Sequence, residues 1–133
     1  MKIIDIEGIG PAYAKKLAKA GIGSVEALLK NGGSAKGRKD IATLSGIDQS
    51  LVLEWVNRAD LYRIKGVGKQ YSDLLEKAGV DTVVELSKRV AGNLFAKMVE
   101  VNNAKNLVNG MPGLHQVEGW IAQAKKLPRV VTY

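Results

Sequence analysis

Two stretches of the chain say nearly the same thing. Residues 6–22 read IEGIGPAYAKKLAKAGI, and residues 64–80 read IKGVGKQYSDLLEKAGV. At an offset of 58 the identities include Gly8/Gly66, Gly10/Gly68, Tyr13/Tyr71, Leu17/Leu75, Ala20/Ala78 and Gly21/Gly79. Val25/Val83 and Leu28/Leu86 continue the match. Internal similarity of this kind points to duplication of one supersecondary unit. It also demands a particular backbone twice over: a Gly-x-Gly bend that leads directly into a helix. An abrupt reversal of this kind calls for backbone angles that glycine reaches at low cost. The apolar residue between the glycines, Ile9 or Val67, is placed to anchor the bend in a core.

A weaker echo follows. LEWVNRADL, from residue 53, resembles EGWIAQAKKL, from residue 118, with Trp55 matching Trp120 and Ala59 matching Ala124 at an offset of 65. The second half therefore carries seven extra residues, between Leu86 and Trp120. Between these landmarks the pattern is helical. Pro11 suits a first helical position, Tyr13, Leu17 and Ala20 recur at helical spacing, and Gly21 is a left-handed stop. Ser24 caps a helix through Leu29, and NGGSAKG (31–37) reads as a loop. Helices are then expected over 36–44 and, capped by Asp48, through Arg58. Lys69 to Ala78 repeats the first helix. Thr82 and Glu85 form a capping box. A longer helix is expected over 93–108 and a last one over 115–126, ended by Pro128, with RVVTY extended.

The expectation is thus an all-α fold of two pseudo-duplicated units packed together, 1–61 and 62–133, the second with a longer helical insert and a C-terminal tail. Halves of this size bury too little surface to be secure alone, so mutual packing is expected. In particular, Leu94, Met98, Val101, Leu107 and Val108 of the insert can share a face directed at the first half.

Charge narrows the partners. The net charge is +7. Residues 1–61 hold nine Lys/Arg against seven Asp/Glu, and residues 62–133 hold eleven against six. Such an excess favours polyanions, nucleic acid or an anionic membrane surface, though it also suits a merely solvated surface. With no cysteine, disulfides and thiolate metal sites are excluded. Asp5 and Glu7 interrupt what a signal peptide would need, and no apolar run has the length of a membrane span. A cytoplasmic protein without membrane contact is the expectation.

A bend followed by a helix has a chemical use. The glycines leave the backbone bare, and the helix offers unpaired N–H groups at the positive end of its dipole. Together they seat a phosphate oxygen without reading a base. The pairs Ile6-Glu7-Gly8-Ile9-Gly10 and Ile64-Lys65-Gly66-Val67-Gly68 resemble the helix-hairpin-helix motif, and SGIDQS (45–50) resembles the degenerate second hairpin of a tandem pair. From IEGIG through GRKDIATLSGI, LEWVNRADLYRIKGVG and WIAQAKKLPRVVTY, the chain resembles the domain-of-unknown-function family numbered 4332, grouped with tandem helix-hairpin-helix proteins.

The resemblance implies non-catalytic binding of nucleic acid, duplex DNA foremost, through its backbone. Its first seat would be Gly8, Ile9, Gly10 and the N–H groups of Ala12 and Tyr13, flanked by Lys15 and Lys16. The second would be Gly66, Val67, Gly68, Lys69 and Gln70, beside Lys65. No cofactor is implied, beyond the monovalent cation that some such hairpins hold through carbonyls. The alternative is a protein-interaction or scaffold module in which the bends only shape the fold. Glu7 stands where DNA-binding hairpins usually carry proline or a basic residue, and Pro11 lacks a donor, so the first copy is expected to bind less well.

Other residues have structural readings. Tyr13, Tyr71, Trp55 and Trp120 are expected in the core, since aromatics at 5% of the chain make a poor stacking platform for single strands. Lys36–Arg38–Lys39, Lys88–Arg89 and Lys125–Lys126–Arg129 are phosphate contacts or solvated faces. His115, the only histidine, has no second ligand near it and is expected on the surface. Asp40, Asp48, Asp60, Asp73 and Asp81 make no two-metal motif, so no enzymatic activity is expected.

Overall fold

A computed structural model describes residues 2–133. Among them are a single 3-10 turn, Ile3–Asp5, and eight α-helices: α1 Pro11–Lys19, α2 Val25–Gly32, α3 Ala35–Ser45, α4 Gln49–Leu61, α5 Lys69–Lys77, α6 Val83–Ser87, α7 Ala91–Lys105 and α8 Leu114–Lys126. The fold is all-α, with no strand among the described residues. No helix there is long and apolar enough to cross a membrane.

The chain divides into two units: Met1–Asp60 together with Arg129–Tyr133, and Leu61–Pro128. The tail thus belongs to the first unit, not to the second as the sequence division at residue 61 had it. The second unit is an insertion in the sequence of the first. Reassigning Arg129 also evens the charge. The first unit holds ten Lys/Arg against seven Asp/Glu, and the second ten against six.

Helices α1 and α5 end alike. Gly21 and Gly79 take φ of +79° and +95°, and the next residue's N–H reaches back, Ile22 to the Leu17 carbonyl at 2.9 Å and Val80 to that of Leu75 at 2.8 Å. This is the closure a left-handed glycine permits. The NGGSAKG stretch, in contrast, is not a loop. α2 runs through Gly32, and Ser34 caps α3 by accepting the Gly37 N–H at 3.0 Å. Its glycines serve close packing. A Cβ on Gly32 would lie 2.6 Å from Val56 Cγ2, and one on Gly37 would collide with the Asn31 carbonyl.

In the second unit α5, α6, α7 and α8 share one apolar core that includes Leu74, Leu75, Leu86, Met98, Val117 and Trp120. The face of the insert expected against the first half is used here instead: Leu94, Met98 and Val101 belong to the core of their own unit. α7 also stops short of Val108. Asn106 takes φ +50° as its left-handed cap, and the Asn102 side chain substitutes for helical partners, accepting the Val108 N–H at 2.9 Å and donating to its carbonyl at 3.1 Å.

Arg38 closes the first unit. It is 3% exposed. Its guanidinium donates to the carbonyls of Gly32 (3.0 Å) and Gly33 (2.9 Å), at the negative end of α2, and to that of Thr132 (2.6 Å). The Thr132 N–H donates to the Gly33 carbonyl at 2.8 Å, and Val131 is buried. The Tyr133 ring lies 5.8 Å from the guanidinium carbon. The tail is therefore pinned along α2–α3 without forming a strand. Burial lowers the Arg38 pKa and Tyr133 opposes that shift; an arginine remains charged nonetheless.

Arg38→Ala strands buried carbonyls of α2 and releases the tail, a loss of about 2–4 kcal/mol. Equilibrium denaturation in urea measures it, and a loss below about 0.5 kcal/mol, the scale of an ordinary surface substitution, would show that the latch is not holding the unit. A second expectation concerns pH. Asp48 accepts the Ser50 N–H (2.8 Å) and the Ser50 hydroxyl (2.7 Å) at the start of α4. The backbone bond first, then the hydroxyl, holds its carboxyl below the usual range. Its folded pKa is depressed, so its stabilisation is complete above the unfolded pKa and is lost as pH falls through the folded value. Asp48→Ala should lower the melting temperature at neutral pH, and the gap to the wild type should close in acid. A gap of constant size across that range contradicts this assignment.

Candidate functional site

The bends are built alike from the residues upward. In the first, the Ile9 N–H bonds to the Ile6 carbonyl at 3.0 Å; in the second, Val67 bonds to Ile64 at 3.1 Å. The third residue of each turn, Gly8 or Gly66, has φ of +91° or +95°, as a type II β-turn requires of that position. All four flanking apolar residues, Ile6, Ile9, Ile64 and Val67, are buried.

A second reason for glycine lies beneath the turn. A Cβ on Gly8 would come 3.1 Å from Trp55 Nε1, and one on Gly66 would come 3.0 Å from Trp120 Nε1. Each indole is buried, at 1% and 3% exposure, so it has little room to withdraw. Tyr13 packs on Trp55 with ring centroids 5.1 Å apart, and Tyr71 on Trp120 at 5.4 Å. The Tyr71 hydroxyl donates to the Gly110 carbonyl at 2.9 Å. The aromatics are thus packing residues, half-buried or buried, as the sequence suggested.

The second glycine of each motif is different. Gly10 and Gly68 have φ of −98° and −109°, extended backbone open to any residue. A Cβ on either would meet nothing within 4 Å. The expectation that both glycines are required by the backbone is therefore corrected: only Gly8 and Gly66 are. Gly10 and Gly68 are the N-caps of α1 and α5, and neither helix has a side-chain cap. Helices α2, α3 and α6 are each capped by a hydroxyl, from Ser24, Ser34 and Thr82.

At α5 the N–H groups of Lys69, Gln70 and Tyr71 precede the first intrahelical bond, from Ser72 to the Gly68 carbonyl at 2.9 Å. They line an open depression of about 370 Å³ with Gly66 and Gly68. Lys65 and Lys69 are exposed beside it. At α1, Pro11 leaves only Ala12 and Tyr13 ahead of the first bond, from Ala14 to the Gly10 carbonyl. Lys15 and Lys16 are exposed there, with the Lys16 ammonium 5.7 Å from the Tyr13 ring centre. Exposed Glu7 takes the place that Lys65 has in the second bend.

One supporting residue escaped the sequence reading. The Gln123 side chain on α8 accepts the Lys65 N–H at 2.9 Å and donates to the Lys65 carbonyl at 3.2 Å. This reciprocal pair holds the bend against α8. No pattern in the sequence marks it: at the offset of 65 that aligns the tryptophans, Gln123 falls opposite Arg58. Two of the basic residues read from the sequence as phosphate contacts or solvated faces are engaged with the backbone instead. Arg38 is buried, and Arg89 donates to the Gly79 carbonyl at 2.7 Å. His115 is on the surface near the start of α8. Among the described residues no group of three or more His, Cys, Asp or Glu is arranged to hold a metal.

Gly66→Ala forces alanine into a left-handed conformation against an indole, whereas Gly46→Ala, at φ +75°, meets nothing within 4 Å. Both substitutions carry about 1–2 kcal/mol of backbone strain. Gly66→Ala should exceed Gly46→Ala by the cost of displacing Trp120, measurable as a difference in urea midpoints. Equal losses would remove the indole from the account.

The chain matches the model of the family described as Domain of unknown function (DUF4332) over residues 7–127, and it belongs to that family. Neither the curated proteins nor the solved structures contain a match.

Proposed function

We propose that this member of the family is a non-catalytic nucleic-acid-binding protein. It grips the phosphate backbone of duplex DNA at the second bend, in the manner of the helix-hairpin-helix modules its motif resembles. The observation that carries this reading is the bare N-cap of α5. Gly68 is required neither by its backbone angles nor by its neighbours. A serine or aspartate in its place would cap the helix at least as well. A glycine there puts no capping side chain over the Gln70 and Tyr71 N–H groups, which an anion can then approach, and Lys65 and Lys69 bring positive charge to the same place.

The first bend shares the bare cap but is the weaker seat. It has one donor fewer at Pro11 and a carboxylate at Glu7, which opposes phosphate. Binding of this kind reads no bases, so it tolerates any sequence and weakens steeply with salt. The cytoplasm, where the chain would meet nucleic acid, is part of the same proposal.

Two variants test it. Gly68→Ser puts a hydroxyl over the Gln70 and Tyr71 N–H groups. It should keep or raise the melting temperature while weakening affinity for a short duplex. Lys65→Ala with Lys69→Ala should weaken binding and flatten the salt dependence by roughly one unit of slope per lost phosphate contact. Affinity and slope unchanged in both variants would leave the bends as folding devices and favour a protein-docking role.

A further inference from the structure

We propose that the phosphate-binding surface of the second unit continues past the bend along one face of α8, with Lys126 as its next cation. The inference rests on the binding reading above and extends it to a second point of contact.

Its starting point is the clasp between Gln123 and Lys65. Both hydrogen bonds of that pair join a side chain of α8 to the backbone of the bend. The flank of α8 that carries Gln123 therefore adjoins the seat formed by Gly66, Gly68, Lys69, Gln70 and Tyr71. The inner face of α8 is fixed by its buried residues Val117, Trp120, Ile121 and Ala124. At about 100° per residue, Lys126 falls about 60° round the helix from Gln123 and about 4.5 Å further along it. It is exposed and points away from the inner face. Gly119 and Ala122 share that outward side, are also exposed, and present no carboxylate to a phosphate.

Lys125 is a natural control. It is also exposed, but it lies two residues from Gln123 and so on the opposite flank of the helix, the one that carries Glu118. Both lysines are in the last turn of α8, where either cation complements the helix dipole. A purely structural role therefore predicts equal consequences for the two. A phosphate track starting at the bend predicts unequal ones: Lys126 contributes to binding and Lys125 does not. Along α8, Trp120 lies under Gly66 and packs on Tyr71, and Gln123 clasps Lys65, so a rod-like polyanion lying across the seat and along this flank leaves the seat past Lys65 and meets Lys126 next.

The experiment uses the full chain and a short DNA duplex, titrated at several salt concentrations, for Lys126→Ala, Lys125→Ala, Lys126→Arg and the double variant Lys65→Ala with Lys69→Ala. The loss of one phosphate contact reduces the salt slope by about 0.9. A fourfold rise in salt should then weaken the wild type about threefold more than it weakens Lys126→Ala. Lys125→Ala should keep the wild-type slope, as should Lys126→Arg, and the two alanine variants should melt alike. Equal slopes for Lys125→Ala and Lys126→Ala overturn the track. If the bend variant loses slope while Lys126→Ala does not, only this extension fails. If the bend variant also binds as the wild type does, the seat itself is wrong.

Discussion

Each unit depends on an indole placed beneath a turn. Trp55 in the first and Trp120 in the second bring Nε1 to about 3 Å from where a Cβ on the bend glycine would be. A turn that needs positive φ admits glycine easily and little else. With the indole below, even the residues that tolerate that conformation would have to push a buried ring aside. The contact joins the first bend of each unit to its last long helix, α4 or α8, and the tyrosine of the following helix packs against the same ring. The seven residues that separate the offsets of 58 and 65 fall between bend and tryptophan, where α7 and its following loop take them up. The contact itself is indifferent to them.

The other ties of the bends and caps use arginine or glutamine against backbone. Arg38 reaches three carbonyls and fastens the tail to α2. Arg89 fastens the left-handed stop at Gly79, and Gln123 fastens the bend at Lys65. Main-chain carbonyls at turns and helix ends are the groups most in need of donors. A long side chain with several N–H groups meets that need from a neighbouring helix. The basic surplus of the chain is thus partly structural, and formal charge overstates what faces a partner.

How far the sequence disclosed this follows from the range of each interaction. The left-handed stops at Gly21 and Gly79, the caps at Ser24 and Thr82, and the buried tryptophans all depend on local pattern or on the repeat, and were legible. The roles of Gly32 and Gly37 were not. A glycine-rich run has the composition of a loop, and only the packed partners, Val56 and the Asn31 carbonyl, reveal that it lies between close-packed helices. The bond from Arg38 to Thr132 spans 94 residues and that from Gln123 to Lys65 spans 58. Neither has a periodicity to announce it. At the candidate site, the two glycines of each motif looked equivalent in the sequence, and geometry separated them.

That separation bears on what the bends are for. A feature demanded by the fold recurs in both bends whatever either bend binds. Gly8 and Gly66 meet that description, through their angles and their tryptophans. Gly10 and Gly68 do not, since backbone and space at both positions would accept a capping side chain, better than glycine by about a few tenths of a kcal/mol. Neither backbone angles nor crowding requires glycine there, and the proposed anion seat would make use of it. The surroundings of the two seats then diverge in what an anion would feel, Glu7 and Pro11 at one, Lys65 and Lys69 at the other. At the bends themselves the turn glycines, the buried apolar residues and the tryptophans correspond, while the pairs Glu7/Lys65 and Pro11/Lys69 differ in charge. Under the proposed binding role, that is the pattern expected if both bends keep an uncapped helix start and only the second adds positive charge to it.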